Sequence, residues 1–480
     1  MKKTFKFTSV LITLLVTANT YALPIDWSGS LGFEQNVIKN ARGTTYSCNI
    51  ATAGSECITD DSKSARFQSL LLKLNPSIIV NDSVTVKGEV TTGSFRGGYL
   101  GDDNNGEAAD NSYFAQSSTG STLNFTQMYA ELYADTALFR VGKYSKHYGL
   151  GAVVNSGSNT WDRFFSGYEG IEAEFKLGNF KLIPAMSKLN SNPGLPNGKY
   201  DTTEQSVLAM YDNTNRNFKV GVFYAVREVE NASDQYATDD GAGNLTKGLG
   251  AHSTTLLDIY FEKSWGDFNL AMEIPILSGS IGNSYNPQVT KEQDFDARAY
   301  ILETTYQLNP KWKLGLNAGT VSGSDNDSSS QEAMYLHPNY QIAEIMFRYN
   351  REGFQNSKEN PFRSNIVNTN YTKLFAHYES EAWGWRLDFI MAKANEVAKK
   401  TDTFYDHSDR TYQTANTDQN NDLGMEFDVA FDYKWSPSVI VTGFIGYYKV
   451  GEFYEFTNDA SEKMEVADIT SSGMKVNIGF

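Results

Sequence analysis

Three groupings of charged residues in this chain have types and spacings that could do chemistry. Asp406-His407-Asp409 sets carboxylates beside an imidazole, the minimum for activating water. GDDNNGEAAD, residues 101–110, gathers carboxylates that could hold a divalent cation through oxygen. In MEFDVAFDYKW, Glu426, Asp428 and Asp432 share one parity, so on a strand they form a column spaced at about 6.6 Å or multiples of it. The first grouping is short, and its polar flanks supply no partner to orient the imidazole. The second has the composition of a solvated loop. None of His147, His252, His337 and His377 sits in a hydrolase motif. No catalytic or metal site and no cofactor is therefore expected. The third grouping is of another kind, a column of charge that acts on ions by its field.

A column of that sort needs strands to carry it, and the alternation continues from Asp26 to the C-terminus. Met425, Phe427, Val429, Phe431 and Tyr433 oppose the acids of MEFDVAFDYKW. Leu374, Ala376 and Tyr378 oppose Lys373 and His377, and Leu387, Phe389 and Met391 oppose Arg386 and Asp388. Ala343, Ile345, Phe347 and Tyr349 oppose Glu344, Arg348 and Asn350, which predicts another strand there. RFQSLLLKL puts Arg66 and Gln68 on the parity of Leu70, Leu72 and Leu74, which calls for a bulge or a change of parity.

The breaks between strands are of two kinds in succession. Short ones such as Asn81-Asp82, Gly178-Asn179, Gly266-Asp267, His337-Pro338-Asn339 and Ser436-Pro437 have hairpin-turn chemistry. Long ones, rich in Gly, Ser, Asn and Asp, include Asn40 to Ser64, Gly97 to Thr122, Gly149 to Gly167 and Val397 to Asn421. Short turns on one side and long loops on the other predict an all-β fold: a transmembrane, antiparallel, up-and-down β-barrel, with short turns periplasmic and long loops extracellular. Counting every short turn gives about twenty strands. Eighteen is the near alternative, because Glu332 to Leu336 is too short to span.

Composition agrees. The chain has 480 residues, 40% of them hydrophobic, and a mean hydropathy of −0.43, a value a membrane protein reaches when polar residues line its interior. Residues 1–22 have the form of a cleaved signal peptide: a basic start, an apolar run from Ser9 to Ala18, and Thr20-Tyr21-Ala22 before the cut. The barrel then occupies 23–480. The formal charge of −16 argues against nucleic acid as a partner. Cys48 and Cys57, the only cysteines, lie close together in a polar stretch of an exported chain, which predicts a local disulfide. Trp27, Tyr148, Trp265, Trp312, Trp383, Trp385 and Trp435 fall near strand ends, as expected of rings at the headgroup level.

The closing GMKVNIGF alternates Met474, Val476, Ile478 and Phe480 against polar or small residues. In this the chain resembles Gram-negative outer-membrane β-barrels, whose final strand commonly ends in an aromatic read by the barrel-assembly machinery; the resemblance makes Phe480 an assembly signal. It also implies outer-membrane lipid and lipopolysaccharide as surroundings. RVGKYSKHYGLGAVVNSGSNTWDRFFSGYEG, residues 140–170, is similar in outline to the barrel-and-loop segment of alginate-export-type porins. That similarity implies that Arg140, Lys143, Lys146 and Arg163 project into the pore. The loop carrying Trp161, Asp162 and Arg163 either folds inward as a constriction or packs on its own rim. The expected pore lining is Arg140, Lys143, Glu344, Arg348, Lys373, Arg386, Asp388, Glu426, Asp428 and Asp432. Acids outnumber bases across all the lumen-facing parities, which predicts a mild cation preference. The function expected is passive diffusion of small hydrophilic solutes; the alternative is a loop-plugged surface barrel with a structural, adhesion or receptor role.

Overall fold

A computed structural model of the chain describes residues 25–40, 45–49, 64–92, 98–99, 123–190, 202–229, 238–239, 245–246, 253–280, 294–325, 330–350, 362–406, 411–458 and 462–480. Its frame is a closed antiparallel barrel of 18 strands. In chain order these are β1 (Ile25–Lys39), β2 (Ala65–Asn81), β3 (Val84–Thr92), β4 (Leu123–Tyr133), β5 (Ala137–Ser145), β6 (Gly167–Leu177), β7 (Phe180–Asn190), β8 (Thr202–Asn213) and β9 (Phe218–Val229). They continue as β10 (Ser253–Trp265), β11 (Phe268–Ser280), β12 (Asp294–Asn309), β13 (Trp312–Val321), β14 (Thr369–Glu379), β15 (Trp383–Ala394), β16 (Asp422–Ser436), β17 (Val439–Val450) and β18 (Ile469–Gly479). Each strand pairs with its neighbours in sequence, and β18 closes on β1 from Ser30↔Gly479 to Lys39↔Thr470. Closure leaves no unpaired sheet edge.

The alternation decides which side of each strand faces out. On β15 and β16, Met391 lies opposite Met425 and Phe389 opposite Phe427, and these outward side chains are exposed or half-buried. The intervening Glu426 and Asp428 point inward and are buried. Trp27, Trp265, Trp383 and Trp435 are exposed at the end of the barrel that carries the short turns. Phe480 finishes there too, exchanging backbone hydrogen bonds with Gly29 (2.8 and 3.1 Å), its ring over the Gly29 Cα on the outer face.

Two expectations are corrected here. Ala343 to Asn350 is not a strand, and His337-Pro338-Asn339 is not a turn between strands, so of the two counts expected the barrel has the lower, 18 strands. In a barrel wall, neighbouring residues face opposite sides; here Ile342, Ala343, Ile345 and Met346 are all buried, because the segment lies inside the barrel with protein around it. Arg66 and Gln68 need no bulge either: β1 and β2 pair without a register shift from Ile25↔Ile78 to Ile38↔Ala65. Both residues stay on the outer face, near the end with the long loops, while Ser69, Leu71 and Lys73 point inward.

Residues 1–22, expected to be a signal peptide, Cys57, the acidic stretch 101–110 and His407 with Asp409 lie outside the described residues. Cys48 belongs to a short strand, Thr45–Asn49, paired with Glu462–Val466.

Candidate functional site

Among the described residues, two segments fold into the lumen. The first, residues 146–166, joins β5 to β6. Gly149 (φ 58°) and Gly151 (φ 74°) turn it inward in the left-handed conformation that glycine adopts without strain. Tyr148, expected among the rings at the headgroup level, instead inserts inside the lumen between Phe223 and Tyr260 and donates to the Asp258 carbonyl (3.2 Å). Lys146 contacts Ser206 (3.2 Å) and Glu172 (3.7 Å) and lies over the Tyr168 ring. Farther along, Lys73 of β2 donates to the carbonyls of Gly157 and Asn159, and Thr160 donates to Asn477 of β18 (2.9 Å). The loop therefore crosses the lumen and rests on the opposite wall.

The second segment is 330–350 with 362–368, between β13 and β14. Its apolar residues Met334, Leu336, Ile342, Ile345 and Met346 pack in one cluster with inward residues of β12 to β17. Tyr340 donates to Glu303 (2.8 Å), and the Ile342 carbonyl accepts from Lys373 (2.9 Å). The two loops interlock: His337 N–H donates to Ala152 (2.6 Å), and the Asn339 amide donates to the Phe164 carbonyl (2.7 Å).

Charges gather where the loops meet the closing seam. Glu34 of β1 lies opposite Lys475 of β18. Arg163 of the first loop pairs with Glu34 (2.8 Å), donates to Ser69 (2.7 Å) and stacks on Phe362 (3.7 Å). Arg348 of the second loop pairs with Glu344 (2.5 Å) and reaches Glu34 (3.8 Å), while Lys475 pairs with Glu344 (3.0 Å). Five charges of alternating sign thus bind both loops to both sides of the seam. Burial alone works to raise the Glu344 carboxyl; Arg348 and Lys475 overcome it and hold the group well below the usual carboxylate range. Burial lowers the Arg163 guanidinium against the pull of Glu34.

The sequence-predicted residues fall into four sets. Arg140 faces the lumen and contacts Glu131 (3.1 Å), Glu172 (2.5 Å) and Glu174 (3.6 Å). Lys373 pairs with Asp388 (2.7 Å), and Arg386 with Asp432 (3.2 Å), also in the lumen. Glu344 and Arg348 are in the lumen too, but on a loop rather than a strand; Trp161, Asp162 and Arg163 lie on the inward loop, with Trp161 against Gly32 and Asp162 accepting from Asn159 N–H (3.0 Å). Glu426 and Asp428 do not face open space: the second loop covers them, and they accept its backbone N–H groups. Lys143 is misplaced by the sequence reading. It has the parity of the exposed Val141, opposite to Arg140, and pairs with Glu169 (3.5 Å) on the outer face. Glu34, Lys73 and Lys475 were not singled out as site residues. Lys73 stands in the apolar run LLLKL on the parity opposite to Leu70, Leu72 and Leu74, a lone charge on the inward face that could have marked it.

No protein-family model and no curated protein matches the chain. Among solved structures it is similar to Pseudomonas aeruginosa OccK2 (OpdF) in complex with glucuronate, with a TM-score of 0.50 and 9% identity, over 95% of this chain and 97% of that one. It is also similar to Acinetobacter baumannii OccAB4, with a TM-score of 0.49 and 12% identity, over 96% of this chain and 100% of that one. The shared feature is the fold, a closed antiparallel β-barrel.

Proposed function

We propose that the protein is a passive outer-membrane channel for small hydrophilic solutes, with the two inward loops as its constriction. The observation that carries this reading is a closed barrel, apolar outside, whose charged lumen is narrowed from within. The second loop fills the side lined by β12 to β17. Between both loops and β9 to β12 is a cavity of about 500 Å³ bordered by Val153, Arg227, Leu256, Leu277, Phe295 and Met334, large enough for a small solute. The exposed outer stripe fits a lipid and lipopolysaccharide setting, and Phe480 at the rim fits a role in barrel assembly. No chemistry on the solute is part of this reading.

Acids outnumber bases in the lumen, yet the acids are the sheltered partners. Side-chain exposure is 38% for Lys87 against 5% for Glu131, and 39% for Arg227 against 0% for Glu204. Arg140 is 26% exposed over Glu172 at 4%. A solute in water meets the bases first, and the buried acids are screened by them, so the preference proposed is for anions, the reverse of what the residue count predicts. Planar-bilayer recording of refolded protein tests this. The expected reversal potential in a salt gradient is anion-selective, and joint Lys87→Gln and Arg227→Gln substitution moves it toward cations. Cation selectivity in the wild type overturns the polarity. Absence of conductance favours the loop-plugged surface barrel, the reading that the interlocked loops support.

A further inference from the structure

Each inward loop rests on a pair of acids with no base beside it among the described residues. On β16, Glu426 and Asp428 point inward and are buried. The two oxygens of Glu426 accept from Ile345 and Met346 N–H (2.7 and 2.6 Å), and Asp428 accepts from Glu344 N–H (3.0 Å). The two carboxyls also meet each other. Across the lumen, Asp258 of β10 and Glu273 of β11 are both 0% exposed and lie diagonally across the strand pair, Glu273 opposite Tyr260, with their carboxyls within reach of each other. Glu273 accepts from Leu150 N–H of the first loop. Both Asp258 oxygens, one Glu273 oxygen and one Asp428 oxygen have no donor among the described groups.

We propose that Asp258 with Glu273 and Glu426 with Asp428 are the positioning residues of the constriction, each pair holding one proton between its two carboxyls. This rests on the reading of the loops as a constriction. A carboxylate has no hydrogen to donate, so two buried carboxyls in contact make a hydrogen bond only when one is protonated. Two buried negative charges at that separation, with only backbone N–H groups to face them, repel strongly. One shared proton gives an O–H···O bond and leaves one charge for the loop amides to solvate.

The groups facing each pair do not supply a cation. Around Glu426 and Asp428 stand Glu344, Asp388 and Tyr448. Lys373 and His377 are engaged by Asp388, Arg348 and Lys475 by Glu344, and the Tyr448 hydroxyl donates to Leu423. Around Asp258 and Glu273 stand Tyr148, donating to the Asp258 carbonyl, Tyr260, donating to Glu262, and Glu303, accepting from Tyr340. Removing the shared proton in alkaline solution turns each seat into two like charges, and the loop amides lose their acceptor geometry.

Hydrogen exchange of the refolded barrel in detergent, corrected for the intrinsic pH dependence, reads the seats directly at the Leu150, Ile345 and Met346 amides. Protection is expected to fall in alkaline solution by about tenfold per pH unit once the shared proton titrates. Asp428→Asn puts an amide donor where the shared proton sits, so protection at Ile345 and Met346 should persist into alkaline solution while Leu150 still loses it. Asp258→Asn should do the converse. Protection that does not change with pH in the wild type, or amide variants that titrate as the wild type does, overturns the proposal. Conductance of the same samples should rise with the loss of protection. PH-dependent exchange without any conductance would refute the channel reading and leave the seats standing.

Discussion

The two loops are held by two different devices, and the contrast between them shows how a barrel can be both stable and narrow. At the seam, Glu34, Arg163, Arg348, Glu344 and Lys475 alternate in sign, so every buried charge has an opposite neighbour. At the seats, like groups adjoin and backbone amides complete the shell. Removing one member of the seam strands the others without compensation. Removing one proton from a seat creates the repulsion in place.

The largest effect is expected from breaking the seam at its hub. Glu34→Ala leaves Arg163 and Arg348 facing each other without the carboxylate both contact. Stranding a buried charge costs about 3–5 kcal/mol, and both loops share the loss. The expected outcome is a lower urea midpoint together with higher and noisier conductance. A variant with wild-type midpoint and conductance would show that the loops are held by their apolar contacts alone.

A smaller effect is expected from crowding the seats. A methyl on Gly446 would meet the free Asp428 oxygen at 2.6 Å and Ile345 at 3.2 Å; one on Gly149 would meet the Glu273 carboxylate. Gly446→Ala should destabilise the second loop by about 1–3 kcal/mol through overpacking. Gly149→Ala adds the cost of a non-glycine residue in the left-handed region, about 1–2 kcal/mol. Hydrogen exchange should report each change at its own seat, Ile345 for the first variant and Leu150 for the second. Equal effects at both amides would mean that the loops move as one body.

How much of this the sequence disclosed depends on which rule each residue obeys. The wall was legible because an apolar outer face and a polar lumen impose period two, as in Met425 to Tyr433. The second loop shows the same period by coincidence: Ala343, Ile345, Phe347 and Tyr349 alternate with polar residues, but inside a filled barrel both faces are buried and alternation carries no sidedness. Phe347, with φ 62°, breaks the extended backbone that the pattern presumes. Lys143 was assigned by charge and not by parity; three residues from Arg140 it must face the other way on a regular strand. The shelter of the acids was out of reach, since residue counts do not show that Glu131, Glu172 and Glu204 lie beneath the bases they bind.

The smallest effect expected separates the loops by mild acid. The second loop depends on Glu344, whose carboxyl is held below its ordinary range; a group lowered in this way stabilises above its ordinary value and loses that contribution only as pH falls through the depressed one. Mild acidification therefore leaves the seam intact. The first loop contains His147, packed against Gly151 and lowered by burial, with the Asp162 charge and a Gly149 backbone hydrogen bond acting in the opposite direction. A lowered imidazole binds its proton more readily when the loop is released, so acid passing through the ordinary histidine range favours release of this loop only. Leu150 should lose a few-fold in hydrogen-exchange protection between neutral and mildly acidic solution, whereas Ile345 and Met346 should not change. His147→Gln should abolish the loss at Leu150. Equal loss at Ile345 would mean that acid reaches the seam after all, through Glu34 or Glu344, and that the two devices are less distinct than their charges make them.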